Sequence, residues 1–192
     1  MSREMIPGHS AGPADDPLAS VPRRVLAWIV DVVVVTVLVF VGVSIVDALV
    51  GPAVSIRPEA ATLRDTVAVD KGLVALNALF ATVLSAAYFV IPWARLGGSP
   101  AQLALRMRVR GDTRGEALTI PRAVARWLLL FPPFATVSAL AAGVPLLGWL
   151  VWGSALVWYL VLLLTTAQSE TNQGLHDRIA GSVVRKRRAV AG

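Results

Sequence analysis

Val25 to Val50 reads VLAWIVDVVVVTVLVFVGVSIVDALV, and this run decides the fold. A helix needs about 20 residues to cross about 30 Å of hydrocarbon, so the run is ample for one span. Its valines would favour a strand in water. In lipid the backbone must close its hydrogen bonds within the segment, and helix wins. Gly51-Pro52 ends the span.

Outward from it, Met1 to Pro22 is polar and rich in Pro, Gly, Ser and Asp, which predicts a disordered tail over 1–22. The apolar run that follows is too long for a secretory signal and is expected to stay in the membrane. Gly72 to Trp93 supplies a second span, with small residues for close helix contact and an aromatic end at Tyr88 and Trp93. From Trp127 to Ser169 no charge occurs. One helix of that length would measure roughly twice the hydrocarbon thickness. Gly143-Val144-Pro145 offers a turn, which splits the run into spans of about 123–142 and 146–166, with Pro132-Pro133 kinking the former.

Composition agrees. The 192 residues are 56% hydrophobic and 16% charged, with net charge +6 and mean hydropathy +0.67; soluble domains carry roughly 25% charged residues. The 18 basic residues avoid the apolar blocks and sit beside them. That placement argues for orientation by charge and contact with anionic headgroups rather than for nucleic acid, which is not expected as a partner. With no cysteine and two histidines, disulfides, thiolate chemistry and recognisable metal clusters are excluded, and neither cofactor nor metal is expected.

Charge bias also counts the spans. The Gly51–Lys71 loop balances Arg57, Arg64 and Lys71 against Glu59, Asp65 and Asp70. The Arg95–Arg126 loop sets seven arginines against Asp112 and Glu116. By the positive-inside rule this loop, Arg23-Arg24 and the basic tail over 185–192 all face the cytoplasm, which only an even number of spans allows. The expected fold is an all-α membrane protein with four transmembrane helices, both termini cytoplasmic, placed in the cytoplasmic (inner) membrane.

The central loop carries a small β element. Leu103 to Arg110, LALRMRVR, alternates apolar residues with Arg106, Arg108 and Arg110, the period of a half-buried strand. Ala117 to Ile120 is expected to return as a second strand, and Gly181 to Arg185 to supply a third. Arg106, Arg108, Arg110, Arg185, Lys186, Arg187 and Arg188 are the candidate contacts to lipid headgroups. The competing reading of Leu103–Arg110 is an amphipathic interfacial helix.

Asp31 is the most informative residue. It lies about 9 Å into the first span, where an ionised carboxylate costs roughly 3 kcal/mol at a helix centre. Arg24 sits about 10 Å below it on the same helix face, too far to pair. Arg122 or Arg126, at the entry of the third span, is the expected partner. Asp31 is then either a proton- or cation-carrying site or half of a buried ion pair pinning the first helix. Asn77 reads as an interhelical hydrogen-bonding group, Asp47 is given no role, and His176-Asp177 reads as a solvated or capping pair. No nucleophile–base pair is evident, so an enzyme is not expected.

Three stretches carry a family resemblance. Arg24-Val-Leu-Ala-Trp-Ile-Val-Asp31 resembles the first signature of the RDD family of bacterial multi-pass membrane proteins. Gly98-Ser-Pro100 through Arg106-Met-Arg-Val109, then Arg122–Arg126, is similar to its central loop, and Leu175-His-Asp177-Arg-Ile-Ala-Gly181-Ser-Val-Val to its terminal signature. The resemblance implies an RDD-type domain over 23–184 and assigns the naming arginine and two aspartates to Arg24, Asp31 and Asp177. Ala101-Gln102 stands where a Gly-Lys pair is common in the family, and Ser182 where threonine is usual. Transport is a role proposed for the family. The leading expectation is therefore proton-coupled transport of a cation or small solute, in which Arg24, Asp31, Asp177, Arg122 and Arg126 form the titrating or structural ion pairs; the alternative is a non-transporting scaffold or accessory subunit. The scaffold would bind anionic lipid or a protein partner through its basic cytoplasmic face. A homo-oligomer is the expected assembly for a chain this small.

Overall fold

The computed structural model describes residues 17–57, 66–112, 115–131 and 145–186. α1, Val21–Val50, opens with Pro22 in its first turn, where a missing N–H costs nothing. Its buried residues, Ala27, Asp31 and Val35, follow one another at intervals of four, a single narrow stripe. Val33, Val37, Phe40, Ile45 and Leu49 on its other faces are exposed. An exposed apolar belt of that length matches lipid rather than water.

β1, Val54–Ile56, and β2, Val67–Val69, form an antiparallel hairpin beyond the far end of α1. α2, Lys71–Arg95, begins where the Asp70 carboxylate accepts from the Leu73 N–H at 3.0 Å. It returns beside α1, and Asn77 Nδ2 donates to Asp47 Oδ1 across the two helices at 2.8 Å. α5, Pro145–Ala167, is the other long helix among the described residues. Val21–Val50, Lys71–Arg95 and Gly148–Ala167 are each long and apolar enough to cross a membrane. α4, Ile120–Leu130, has 11 residues and covers about 16 Å at 1.5 Å per residue, too short to cross alone. The remainder of the expected third span to residue 142, the Pro132-Pro133 kink and the Gly143-Val144 turn lie outside the described residues.

Between α2 and α4 the chain builds a compact layer. α3, Pro100–Ala104, starts at a reciprocal cap formed by Ser99 and Gln102. β3, Met107–Gly111, follows, then α4; after α5 come the short helix α6, Leu175–Ile179, and β4, Ser182–Lys186. β3 pairs antiparallel with β4, from Met107 opposite Lys186 to Gly111 opposite Ser182. Met107 and Val109 point inward while Arg108 and Arg110 stay half-buried, as the alternation predicts.

Several expectations need correction. Leu103 and Ala104 belong to α3, because the Ser99 cap starts a helix there and Arg106, at φ 54°, separates it from the strand. Ala117 to Ile120 is not the return strand: Leu118 packs into the core and Ile120 opens α4 with Pro121 in its first turn. β4 takes that place and runs to Lys186, past the expected boundary at 184. Nor is the stretch from 17 to 22 a loose tail. Leu18 bridges Arg185, Ala19 N donates to Val184 O at 3.0 Å, and Lys186 N donates to Pro17 O at 2.7 Å. β4 presents two hydrogen-bonding edges, and this segment takes the one that β3 leaves free. Residues 1–16 of the expected tail, with Arg187 and Arg188, lie outside the described residues.

The core sits at this end of the helices. Ala19, Ala27, Phe89, Trp93, Met107, Val109, Ala123, Trp127 and Val184 pack together, with Phe89 stacked on Phe131 at 4.3 Å between centroids.

Candidate functional site: two buried carboxylates

α6 carries Asp177 into the middle of this layer. Gly174, just before α6, permits the approach: a Cβ there would run into the Thr166 hydroxyl of α5 and lie 2.8 Å from the His176 ring. Gly181, at φ 57°, then turns the chain into β4 and sets Ser182 beside the carboxylate.

Asp177 is fully buried and held by two guanidiniums. Arg24 Nη1 donates to Oδ2 at 2.9 Å, and Arg126 Nη1 reaches Oδ1 at 2.7 Å. The Ser182 hydroxyl donates to Oδ1 at 3.2 Å and accepts from Arg126 Nη1 at 2.9 Å. Arg24 also donates to the carbonyls of Ala19 and Val184, so one side chain ties α1, the N-terminal segment, β4 and α6. Arg126 lies over the Trp93 ring at 5.0 Å, and the Trp93 N–H donates to Gln102 Oε1 at 3.0 Å. Burial pushes the Asp177 carboxyl up. Arg126, then His176 when protonated and Arg24, with the Ser182 hydrogen bond, outweigh it and hold the group below the usual carboxylate range.

Asp31 is buried separately. Ser99 Oγ donates to Oδ2, Ala101 N to Oδ1 at 3.1 Å, and Tyr88 OH to Oδ1 at 2.9 Å. The carboxylate thus caps the start of α3 from another helix, where N–H groups are otherwise unsatisfied. The expected pairing with Arg122 or Arg126 is not present. Arg126 is taken by Asp177, and Arg122 lies beside Glu116 at 3.4 Å in an exposed pair. Polar groups with no formal charge fill the role assigned to an arginine.

His176-Asp177 is likewise not a solvated pair. His176 Nε2 stands 3.5 Å from Asp177 Oδ1, and the ring is nine-tenths buried. Burial pulls its pKa down to about 4, against the pull of Asp177 and with the push of Arg126 and Arg24, so at neutral pH the imidazole is uncharged. The unfolded chain takes up this proton below about 6.5, whereas the folded chain resists until about 4. Stability is therefore complete above pH 6.5 and falls as the pH drops toward 4, by about 3 kcal/mol in all. Unfolding in detergent at pH 7.5 and 4.5 should show that loss in the wild type and a smaller one in His176→Gln. Equal losses would remove His176 as the cause.

Of the remaining residues singled out in the sequence, Arg106 is exposed, and Arg108 donates to Leu96 O at 2.7 Å. Arg185 and Lys186 lie in β4. Ser99, Tyr88, Gln102 and Trp93 were not singled out for the site. Ser99-x-x-Gln102 is itself a helix-start signal and could have pointed to α3.

Apolar helices gathered at one end by a buried arginine–aspartate layer define a membrane protein with several candidate spans. The RDD family pattern matches residues 18–181, most of the chain. The chain belongs to the RDD family. A search of curated proteins finds no match, and a search of solved structures finds none either.

Proposed function

We propose that this protein is a non-transporting scaffold or accessory subunit of the cytoplasmic membrane. Its polar layer is a structural clamp, and its basic face meets anionic lipid or a protein partner. The observation that carries this reading is the environment of Asp31. A titrating relay needs a carboxylate that exchanges between a paired and a free state. Three donors hold this one, two of them from the α3 cap. Asp177 is similarly committed to two arginines and a serine.

The topology belongs to the same reading: four spans, the third over 123–142, with both termini in the cytoplasm, supported by the basic residues beside α1, between α2 and α4, and after α5. Arg106, Arg110 and Lys186 then form a basic surface at the headgroups. A homo-oligomer would multiply that surface.

Proton flux in vesicles reconstituted with the protein, under imposed cation gradients, tests it. Wild type and Asp31→Asn are expected to be equally silent. A cation-driven proton flux in the wild type that Asp31→Asn abolishes, with the variant folded, would establish transport instead.

A further inference from the structure

A cavity of about 250 Å³ lies between α1 and α5, with the buried ion layer at one end. Arg24, Arg126, His176 and Thr166 line it near that layer, and Leu160 and Leu156 line it further along α5. From Thr166 to Leu156 a helix rises about 15 Å, the depth of one leaflet's hydrocarbon. Leu156, Leu160 and Leu163 are also exposed on the outside of the bundle, so the cavity meets the surroundings along a leucine edge.

Its polar end has a charge imbalance. Arg24 and Arg126 bring two positive charges, Asp177 returns one negative charge, and His176 is neutral at pH 7. One cation is left in excess within a buried layer, an arrangement that favours an anion. Arg126 Nε and His176 Nδ1 are buried and have no hydrogen-bond partner among the described residues. The other wall, from Val25 and Trp28 of α1, is apolar or aromatic.

We infer that this cavity holds one anionic phospholipid of the surrounding leaflet, an acyl chain lying between α1 and α5 and the phosphate at Arg24 and Arg126. A volume of about 250 Å³ takes in part of one chain and leaves no room for two. The second chain stays in the bilayer past the leucine edge. The polar-to-apolar order along the cavity follows that of a lipid, headgroup outward and tail inward. This site is separate from the basic surface of β3 and β4, and it stands whether or not the protein moves a solute.

The test adds phosphatidylglycerol, or phosphatidylcholine with identical chains, to the detergent-purified full chain and reads lipid retention by native mass spectrometry and the melting temperature. Phosphatidylglycerol is expected to bind about tenfold more tightly, the discrimination that one or two cationic groups confer, and to raise the melting temperature. Leu160→Trp fills the cavity without touching the ion layer and should abolish that rise. An Arg106→Ala, Arg108→Ala double variant should keep it. Equal binding of the two lipids would overturn the proposal, as would a full response in Leu160→Trp or a response lost in the arginine double variant. A stronger response to palmitate would replace the phospholipid by a free fatty acid, and one to inorganic phosphate alone would remove the acyl chain from the site; either result also overturns it.

Discussion

Asp177→Asn should destabilise the protein by about 3–5 kcal/mol, the cost of leaving buried charges without their counterion. The substitution keeps the size of the side chain and removes its charge. Arg24 Nη1 and Arg126 Nη1 each reach a different oxygen of that carboxylate, and an amide has only one oxygen to offer. One guanidinium would then face an N–H group, and both would sit within a layer where Asp177 is fully buried. The exposed pair of Arg122 and Glu116 provides the contrast, since such pairs contribute about 0–1 kcal/mol. Reversible unfolding in mixed micelles should place Arg122→Ala within 1 kcal/mol of the wild type and Asp177→Asn far below it. If both variants unfold together, the buried layer does not hold the fold.

At Asp31 the size of the effect should depend on which residue replaces it. Asp31→Leu removes every acceptor from the Ser99 hydroxyl and the Ala101 N–H, both buried, and from Tyr88. Each buried donor left unsatisfied costs about 1–3 kcal/mol, so the loss should reach about 3 kcal/mol. Asp31→Asn should lose about 1 kcal/mol, because its oxygen still accepts from Ala101 and Tyr88 while its amide group donates to Ser99 Oγ. The same unfolding measurement separates the two. Leucine and asparagine variants both as stable as the wild type would show that the carboxylate is not structural, and would restore Asp31 as a candidate proton carrier.

Much of the frame is legible in the sequence because lipid imposes it locally. A long apolar run with few or no charges has one stable outcome in lipid, and α1, α2 and α5 follow from runs of that kind. β4 was legible for a similar reason: Val183 and Val184 between a glycine and a basic end favour extended backbone. Its partner was not. Ala117–Ile120 is the near neighbour of β3, whereas the strand that pairs with β3 arrives after α5, and nothing local encodes that choice. The segment at 17–20 looked like a tail because its order comes from an edge supplied by the far end of the chain.

The site was legible in its members and not in its pairings. Arg24, Asp31 and Arg126 are conspicuous as charges near or within apolar helices, and Asp177 enters through the family resemblance. Matching charge to charge gave Asp31 an arginine, whereas a hydroxyl, a phenol and a backbone N–H hold it. Such donors occur throughout any sequence, so their selection shows only once α3 is placed against α1. A histidine beside an aspartate resembles a surface pair until burial is known, and His176 is buried.

The contact between Arg24 and Asp177 spans 153 positions, and that from Arg24 to Val184 spans 160. A ribosome releases the first partner long before it makes the second. For most of synthesis α1 carries an arginine whose counterion does not yet exist, and Arg126 joins it in the same condition. Closure comes only when α6 and β4 emerge, after every candidate span has been made. The clamp thereby acts as a completion mark: a chain stopped before residue 177 leaves both arginines without that carboxylate.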